Sequence, residues 1–564
     1  MVRRPFLALA FAAPMLVALA GPAWCQATTA AASSTLGPAP SAAPDPLTPP
    51  EVVKPPPAAP GVPTTPSGAA RPASEPDAIV ALVRQRLAGI GPASRSAGDR
   101  DDHAGLVAFY AEHAGEAVWT GKSGFTARGQ QALAEIRKAD DWGLKASAFD
   151  LPSLPQGPAS NEALAEAEIK LGLAVLKYGR HARGGRVDPL SVHRIFDQKP
   201  TIYDPKTLML ALAASNSVDA YLRDLHPRHP QFERLRQALL AARAAKSDDA
   251  APTTARPAEN IQRLIVNLER WRWMPPNLGP FYVWDSVPEQ MTMVIKDGKP
   301  VLSEKIVVGK PSSPTPIFSA DMLLVIFHPS WGVPPGMKVH ELGPQLKAAG
   351  GGWFFSSGAS AVLKGHGLLL SRGGQPVDAD SVNWANADIR SYDFTQPPGP
   401  RNLLGIVKFR FPNRHDVYMH DTPERHLFGG ANRVFSHGCM RVQNPVRLAE
   451  VLLEHDKGWG TDKVQEYVRR GGEIKLTTPI PVHITYFTAV VDDEGKLHYR
   501  PDVYGMDGRT ATALEGRAVT LAAAPLDTRE PTAPKAERTA AKKTAQKKTT
   551  SSGSFNPFSI FSGN

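Results

Sequence analysis

The sequence predicts an α+β multidomain protein, in which an all-α scaffold domain precedes a mainly β domain carrying a lid-like insertion. Three observations carry that expectation. Apolar residues recur at helical spacing from about residue 77 to 246, and they change to short alternating runs from Phe281. A stretch rich in Gly and Ser, with weak periodicity, then interrupts the alternation over 336–400. At 564 residues the chain is too long for one ordinary core, so two or three domains plus coreless segments are expected.

Taken in order, residues 1–27 read as a signal peptide. Arg3 and Arg4 precede the apolar stretch from Phe6 to Ala20, and small residues follow at Gly21, Ala23 and Ala27. That stretch is short for a spanning helix and no second one of anchor length occurs, so no stable membrane anchor is expected. Cys25 follows Trp24, a poor fit to a lipidation site. Cleavage after Ala27 would remove Cys25 and leave Cys439 as the one thiol, unable to form an internal disulfide. A lone thiol reads either as a buried core residue or as a retained nucleophile.

Residues 28–76 are Ala, Pro, Ser and Thr with almost no large apolar side chains, a linker expected to stay disordered. The helical domain is expected over 77–258. Ile79, Leu82, Val83 and Leu87 form one stripe, Leu106, Val107, Phe109 and Tyr110 begin a second, and Leu164, Ala167, Leu171, Val175 and Leu176 form a third. Trp119, Trp142 and Phe149 supply aromatic anchors, and 247–258 is a polar, Pro-containing joint. The β domain is expected over 259–487. It opens with a helix from Asn260 to Trp273 and continues with runs at Phe281–Trp284, Met291–Ile295, Glu304–Val308 and Leu323–Phe327. Asp297-Gly298 between two of these runs signals a hairpin. Residues 488–515 form a C-terminal extension, and 516–564 a basic tail too poor in apolar residues to order itself. The formal charge is +10, but Arg529–Lys548 alone holds seven basic and two acidic residues, a net of +5. The folded part is only mildly basic, so a nucleic-acid partner is not expected.

The chemistry concentrates in 416–453. Alternation through Val417-Tyr418-Met419-His420 puts Tyr418 and His420 on one face of a strand, with Val417 and Met419 toward the core. If Ser436-His437-Gly438-Cys439-Met440-Arg441-Val442 continues as one strand, His437, Cys439 and Arg441 share a face. Two such strands side by side would bring Tyr418, His420, Cys439 and Arg441 to one surface. A thiol of ordinary pKa near about 8.5 is mostly protonated at neutral pH, and an adjacent imidazole can take its proton. Backbone N–H groups at Gly438 and Cys439 could then face the oxyanion formed on an acyl carbon. Arg441 offers a planar fork for a carboxylate. Asn444-Pro445 reads as the start of a helix whose buried stripe is Leu448, Val451 and Leu452.

These residues resemble the signature of the L,D-transpeptidase catalytic domain: Tyr418-Met419-His420-Asp421-Thr422, a gap, then Ser436-His437-Gly438-Cys439 with a polar residue two positions on. The likeness extends through Pro329-Ser330-Trp331-Gly332-Val333-Pro334 and Pro397-Pro398-Gly399-Pro400-Arg401-Asn402-Leu403-Leu404-Gly405 to the large periplasmic branch of the family, which carries an N-terminal helical scaffold. The resemblance implies Cys439 as nucleophile and His420 as general base, the imidazole oriented by a backbone carbonyl near Asp421. It implies Tyr418, Ser436 and the Gly438–Cys439 backbone near the oxyanion, Arg441 and Trp331 against the stem peptide, and a supporting role for His437. It further implies a periplasmic enzyme acting on peptidoglycan stem peptides without metal or organic cofactor. Large members also carry a small peptidoglycan-binding module; here its place holds only the joint at 247–258.

Rival readings differ in chemistry. The same acyl-enzyme could pass its acyl group to an amine of an outer-membrane protein, or to water as a carboxypeptidase or amidase would. A non-catalytic wall-binding scaffold would leave Cys439 idle. His420, His437 and Cys439, with His415 and His426 nearby, could in principle hold zinc, but one cysteine and no paired-ligand spacing make a poor framework. Without the motif, Arg441 would read as a surface ion pair, Trp331 as core packing and His366 as a loop histidine.

Overall fold

Side-chain caps fix where the N-terminal helices begin. Ser96, Thr126, Ser160 and Asp204 each accept the N–H of the residue three positions on, starting the helices Ala97–Glu112, Ala127–Arg137, Asn161–Gly184 and Pro205–Ala214. The computed structural model describes residues 77–89, 96–247, 257–349 and 358–520. The predicted signal peptide, the linker up to residue 76 and the tail from 521 lie outside these.

The Asn161–Gly184 helix is the axis of the helical part and is buried along most of its length, because Leu, Ala, Val, Ile and Gly occupy nearly every turn. Its one deeply buried acid, Glu168, collects the N–H groups of Val118, Trp119 and Thr120 and the Thr120 hydroxyl, with the Tyr110 hydroxyl as a further donor. Those N–H groups belong to, or lead into, a hairpin of two-residue strands, Thr120–Gly121 and Gly124–Phe125, the one hairpin described among these helices. These donors anchor the hairpin and offset part of the cost of burying the carboxyl, whose pKa burial still raises.

Nine strands form the main sheet: β1 Phe281–Ser286, β2 Met291–Lys296, β3 Lys299–Gly309, β4 Ser319–Phe327, β5 Val407–Arg410, β6 Met419–His420, β7 Val434–Ser436, β8 Met440–Val442 and β9 Gly472–Thr485. Their order is β7-β3-β8-β6-β5-β4-β9-β1-β2, and β2 also pairs with β3. The neighbour relations therefore close eight strands into a ring, with β7 appended to β3. Closure leaves the ring without a free edge. Val283, Val294, Val325, Val407, Phe409, Met419, Met440 and Val442 fill its core with the helix Pro445–Lys457.

The described part of the region expected as a weakly patterned insertion is folded. Strands Trp331–Gly332, Leu369–Arg372, Gln375–Pro376 and Asp393–Gln396 form a separate four-stranded sheet. With the helix Ala359–His366 they enclose Trp331, Leu346, Leu363, Leu370, Trp384 and Phe394. Elements of two to eight residues leave too short a stretch for a period to show, which is why the sequence read as irregular. His366, expected in a loop, is the last residue of that helix and meets the Gln345 side chain at 2.9 Å. Asn402 pins the base of the insertion: its Nδ2 donates to the carbonyls of Pro329, Gln396 and Pro397, at 2.9, 3.1 and 2.9 Å.

The helix Pro257–Arg272 belongs to neither side alone. Glu269 Oε1 accepts the Val187 N–H at 3.1 Å, Arg272 donates to the Trp142 carbonyl, and Arg270 donates to Asp507 at 2.7 Å and to the Tyr486 carbonyl at 3.2 Å. Burial pulls the Arg272 guanidinium down to about 10 despite the Glu269 carboxylate 3.6 Å away. The C-terminal extension, a hairpin of Ala489–Val491 with Leu497–Tyr499 and the helix Met506–Leu514, packs on this helix. Among the described residues no helix is long and apolar enough to cross a membrane.

Arg270 is 2 % exposed, so removing its carboxylate partner strands a buried charge. Asp507→Ala is expected to cost about 3 kcal/mol in urea denaturation. A loss under about 0.5 kcal/mol, the range of an exposed pair, would show that the pairing contributes nothing.

Candidate active site

Parallel pairing of β6 with β8 aligns Met419 with Met440 and His420 with Arg441, and the Met440 N–H donates to the Tyr418 carbonyl at 3.1 Å. Neighbours in register point the same way. Met419 and Met440 go into the ring core with no exposure, so Tyr418, His420, Cys439 and Arg441 occupy the other face. Cys439 packs against both the ring core and the core of the insertion.

The expectation of one strand through Ser436–Val442 needs correction. Strand β7 ends at Ser436 and β8 begins at Met440, with Gly438 between them at φ +121°. Only glycine adopts that backbone without strain. The Gly438 N–H donates to Ser436 Oγ at 3.1 Å, and the Ser436 hydroxyl donates to the Cys439 carbonyl at 2.6 Å. Two sequence expectations change as a result. Ser436 is a buried brace of the turn instead of a substrate contact, and the Gly438 N–H is already taken, leaving the Cys439 N–H as the donor of that pair. His437 also leaves the shared face: its Nε2 lies 3.0 Å from Lys310 Nζ and 2.8 Å from Glu341 Oε1 of the insertion.

The turn is held from behind as well. Thr315 donates its hydroxyl to the Gly438 carbonyl at 2.8 Å and accepts the Gly309 N–H at 2.8 Å. Tyr504, in the C-terminal extension, donates to the Gly309 carbonyl at 2.6 Å and accepts the Thr315 N–H at 3.2 Å. Nothing in the sequence marked Thr315 or Tyr504, because both act across long separations.

His420 is 5 % exposed, and its Nδ1 lies 2.5 Å from the Asp421 carbonyl. A carbonyl only accepts, so Nδ1 carries the proton and the Nε2 lone pair is left to act as a base. Asp421 is itself fixed: Oδ2 accepts the Ile406 N–H at 2.9 Å and Oδ1 the Thr422 N–H at 2.7 Å, and Arg425 pairs with it. A Cβ at Gly405 would fall 2.3 Å from that carboxylate, so glycine is what lets the chain pass.

Arg441 turns its guanidinium to Glu424, so its fork is occupied rather than open to a ligand. Trp331 is 8 % exposed in the core of the insertion. The Tyr418 hydroxyl approaches both its indole and the Cys439 sulfur. Lys408, which the sequence reading passed over, stands opposite His420 in the β5–β6 register, with Nζ 3.8 Å from the centre of the Tyr418 ring. Alternation in Val407-Lys408-Phe409-Arg410 could have placed it, since Val407 and Phe409 mark the core face. His415, named as a possible metal ligand, meets Asp197 at 2.9 Å. Among the described residues no group of three or more His, Cys, Asp or Glu side chains could hold a metal ion.

Electrostatics define the resting state of the pair. Cys439 keeps part of its surface open, yet the protein around the sulfur pushes the thiol up to about 11. Burial, with Arg441 and Lys408 nearby, pushes His420 down to about 3. At neutral pH both are uncharged, so the site rests as thiol and imidazole rather than as an ion pair. Alkylation of Cys439 by iodoacetamide should therefore keep rising about tenfold per pH unit beyond pH 9. A plateau at or below pH 8 would mean that the thiolate is already formed at rest.

Residues 280–481 match the family described as the L,D-transpeptidase catalytic domain, and residues 104–239 match the family described as the scaffold domain. A Haemophilus influenzae protein, named as a candidate L,D-transpeptidase, is 28 % identical over 257 residues, 45 % of this chain and 50 % of that protein. The chain thus spans about half the length of that curated relative. Among solved structures, an L,D-transpeptidase from Mycobacterium smegmatis is 13 % identical over 36 % of this chain and 58 % of its own, with a TM-score of 0.17. One from Enterococcus faecium is 15 % identical over 37 % and 51 %, with a TM-score of 0.16. Overlaps that low carry no weight for the fold, which rests on the strand pairings above. The chain thus carries an L,D-transpeptidase catalytic domain over 280–481, preceded by a scaffold domain over 104–239.

Proposed function

We propose that the protein is a peptidoglycan L,D-transpeptidase that forms 3→3 cross-links through a thioester on Cys439. The observation that supports this most is the shared face on which Cys439, Tyr418 and His420 meet, with the thiol presented by the Gly438 turn. In the first step the Cys439 proton passes to His420 Nε2 and the sulfur attacks the diaminopimelate carbonyl of a tetrapeptide stem. The C–N bond to the terminal D-alanine breaks, and its amine leaves with the proton from His420. In the second step an amine of another stem attacks the thioester and gives a proton to His420. The C–S bond breaks and the thiol is restored. The Tyr418 hydroxyl and the Cys439 N–H serve the oxyanion. Arg441 reaches a stem carboxylate only by exchanging Glu424 for it, and Trp331 acts by holding Tyr418. The chemistry needs no cofactor. The reading puts the enzyme in the periplasm, which the Arg3–Ala20 pattern supports.

A protein amine or water as acceptor would use the same acyl-enzyme, and product masses separate the three. Mass spectrometry after incubation with purified tetrapeptide muropeptides should show cross-linked dimers that have lost one D-alanine. Tripeptides alone would mean that water is the acceptor. Cys439→Ala should lower turnover by about three orders of magnitude or more while keeping the fold. A carbapenem, whose strained lactam family members open as a thioester, should add once to the wild type and not to that variant. An adduct on both would move the nucleophile elsewhere. His420→Gln should lose most activity and regain part of its acylation rate as pH rises, because thiolate then forms without a base.

A further inference from the structure

The resting site poses a charge problem that Cys439 and His420 do not solve between them. Moving a proton from a thiol near about 11 to an imidazole near about 3 creates a thiolate in a poorly hydrated place. The groups around the sulfur can be named element by element. Strand β5 brings Lys408, with Arg410 beyond it, and the segment into β6 brings Asp416, Tyr418 and His420. Strand β8 brings Arg441, held by Glu424; the insertion brings the Trp331 indole; and His437 beside the thiol is turned to Lys310 and Glu341. Lys408 is thus the one cation among these that acts on the thiol and is not committed to an ion pair drawn in the described residues. Its ammonium rests on the Tyr418 ring face, an arrangement that gains strength when desolvated.

We propose that Lys408 is a positioning residue for the reaction: its ammonium holds the Tyr418 ring against Cys439 and supplies the positive charge beside which the thiolate forms. The inference rests on the reading of Cys439 as nucleophile. Two observations support it independently. Lys408 lies across from His420 in strand register, so the charge is fixed by backbone pairing instead of by a mobile loop. Burial lowers the Lys408 pKa, and Asp416 and then the thiolate oppose that shift, so the charge is coupled to the state of the sulfur.

The test is the iodoacetamide alkylation rate of Cys439 from pH 7 to 11, read in wild type, Lys408→Met, Lys408→Gln and Lys408→Arg, with thermal melts alongside. Loss of the charge should slow alkylation about tenfold at each pH below the thiol pKa, a shift of about one pH unit. Lys408→Arg should recover most of the rate. A packing role alone would lower the melting temperature and leave the alkylation profile in place, which would overturn the proposal. An unchanged or faster rate in the neutral variants would overturn it as well. If Lys408→Met does not fold, Lys408→Gln carries the same measurement. Because alkylation reports on the thiol itself, failure here stays distinct from failure of the nucleophile assignment, which Cys439→Ala turnover decides.

Discussion

Two residues of parallel strand hold the site together. Met419 and His420 lie beside Met440 and Arg441, and this short ladder both completes the closed ring and sets Tyr418 beside Cys439. Side chains alternate along each strand, so fixing Met419 and Met440 in the core leaves Tyr418, His420, Cys439 and Arg441 no other face. A slip of one residue in either strand would bury the imidazole or the thiol in the core and expose a methionine. Packing energy in the ring core thereby enforces the register of the chemistry.

The same logic explains how a thiol and an imidazole can share a site without forming an ion pair. Cys439 packs between the ring core and the insertion core, His420 is almost fully buried, and each stays neutral because desolvation penalises the charged form. A neutral resting pair protects the thiol, because oxidation and adventitious alkylation both begin from thiolate.

Much of this was readable in the residues, and the rest failed for identifiable reasons. Alternation through Val417–His420 placed Tyr418 and His420, and the runs from Phe281 marked a mainly β region, though not its closure into a ring. The Ser436–Val442 segment misled because glycine carries no polarity to break an alternating pattern, whereas its positive φ ends the strand. The resemblance put Ser436 and Gly438 near the oxyanion, whereas the Gly438 N–H donates to Ser436 and the Ser436 hydroxyl to the Cys439 carbonyl. Arg441 was seen as free because its partner Glu424 sits in a loop with no sequence signal. The 336–400 stretch looked irregular because its strands are two to four residues long. Helix Asn161–Gly184 was plain from its stripe, but the buried Glu168 within it gave no hint of the hairpin it gathers.

The contacts of Tyr504 have a consequence for the order in which the protein is made. Cys439 leaves the ribosome well before Tyr504, yet the loop that backs its turn is tied through Gly309 and Thr315 to that later tyrosine. Strand β9 and the helix Met506–Leu514, which carry the barrel and the extension to completion, are also still to come. A nascent or prematurely ended chain therefore has its thiol in place before the scaffolding that shapes it. The turn that carries Cys439 is therefore fully backed only once synthesis has passed Tyr504.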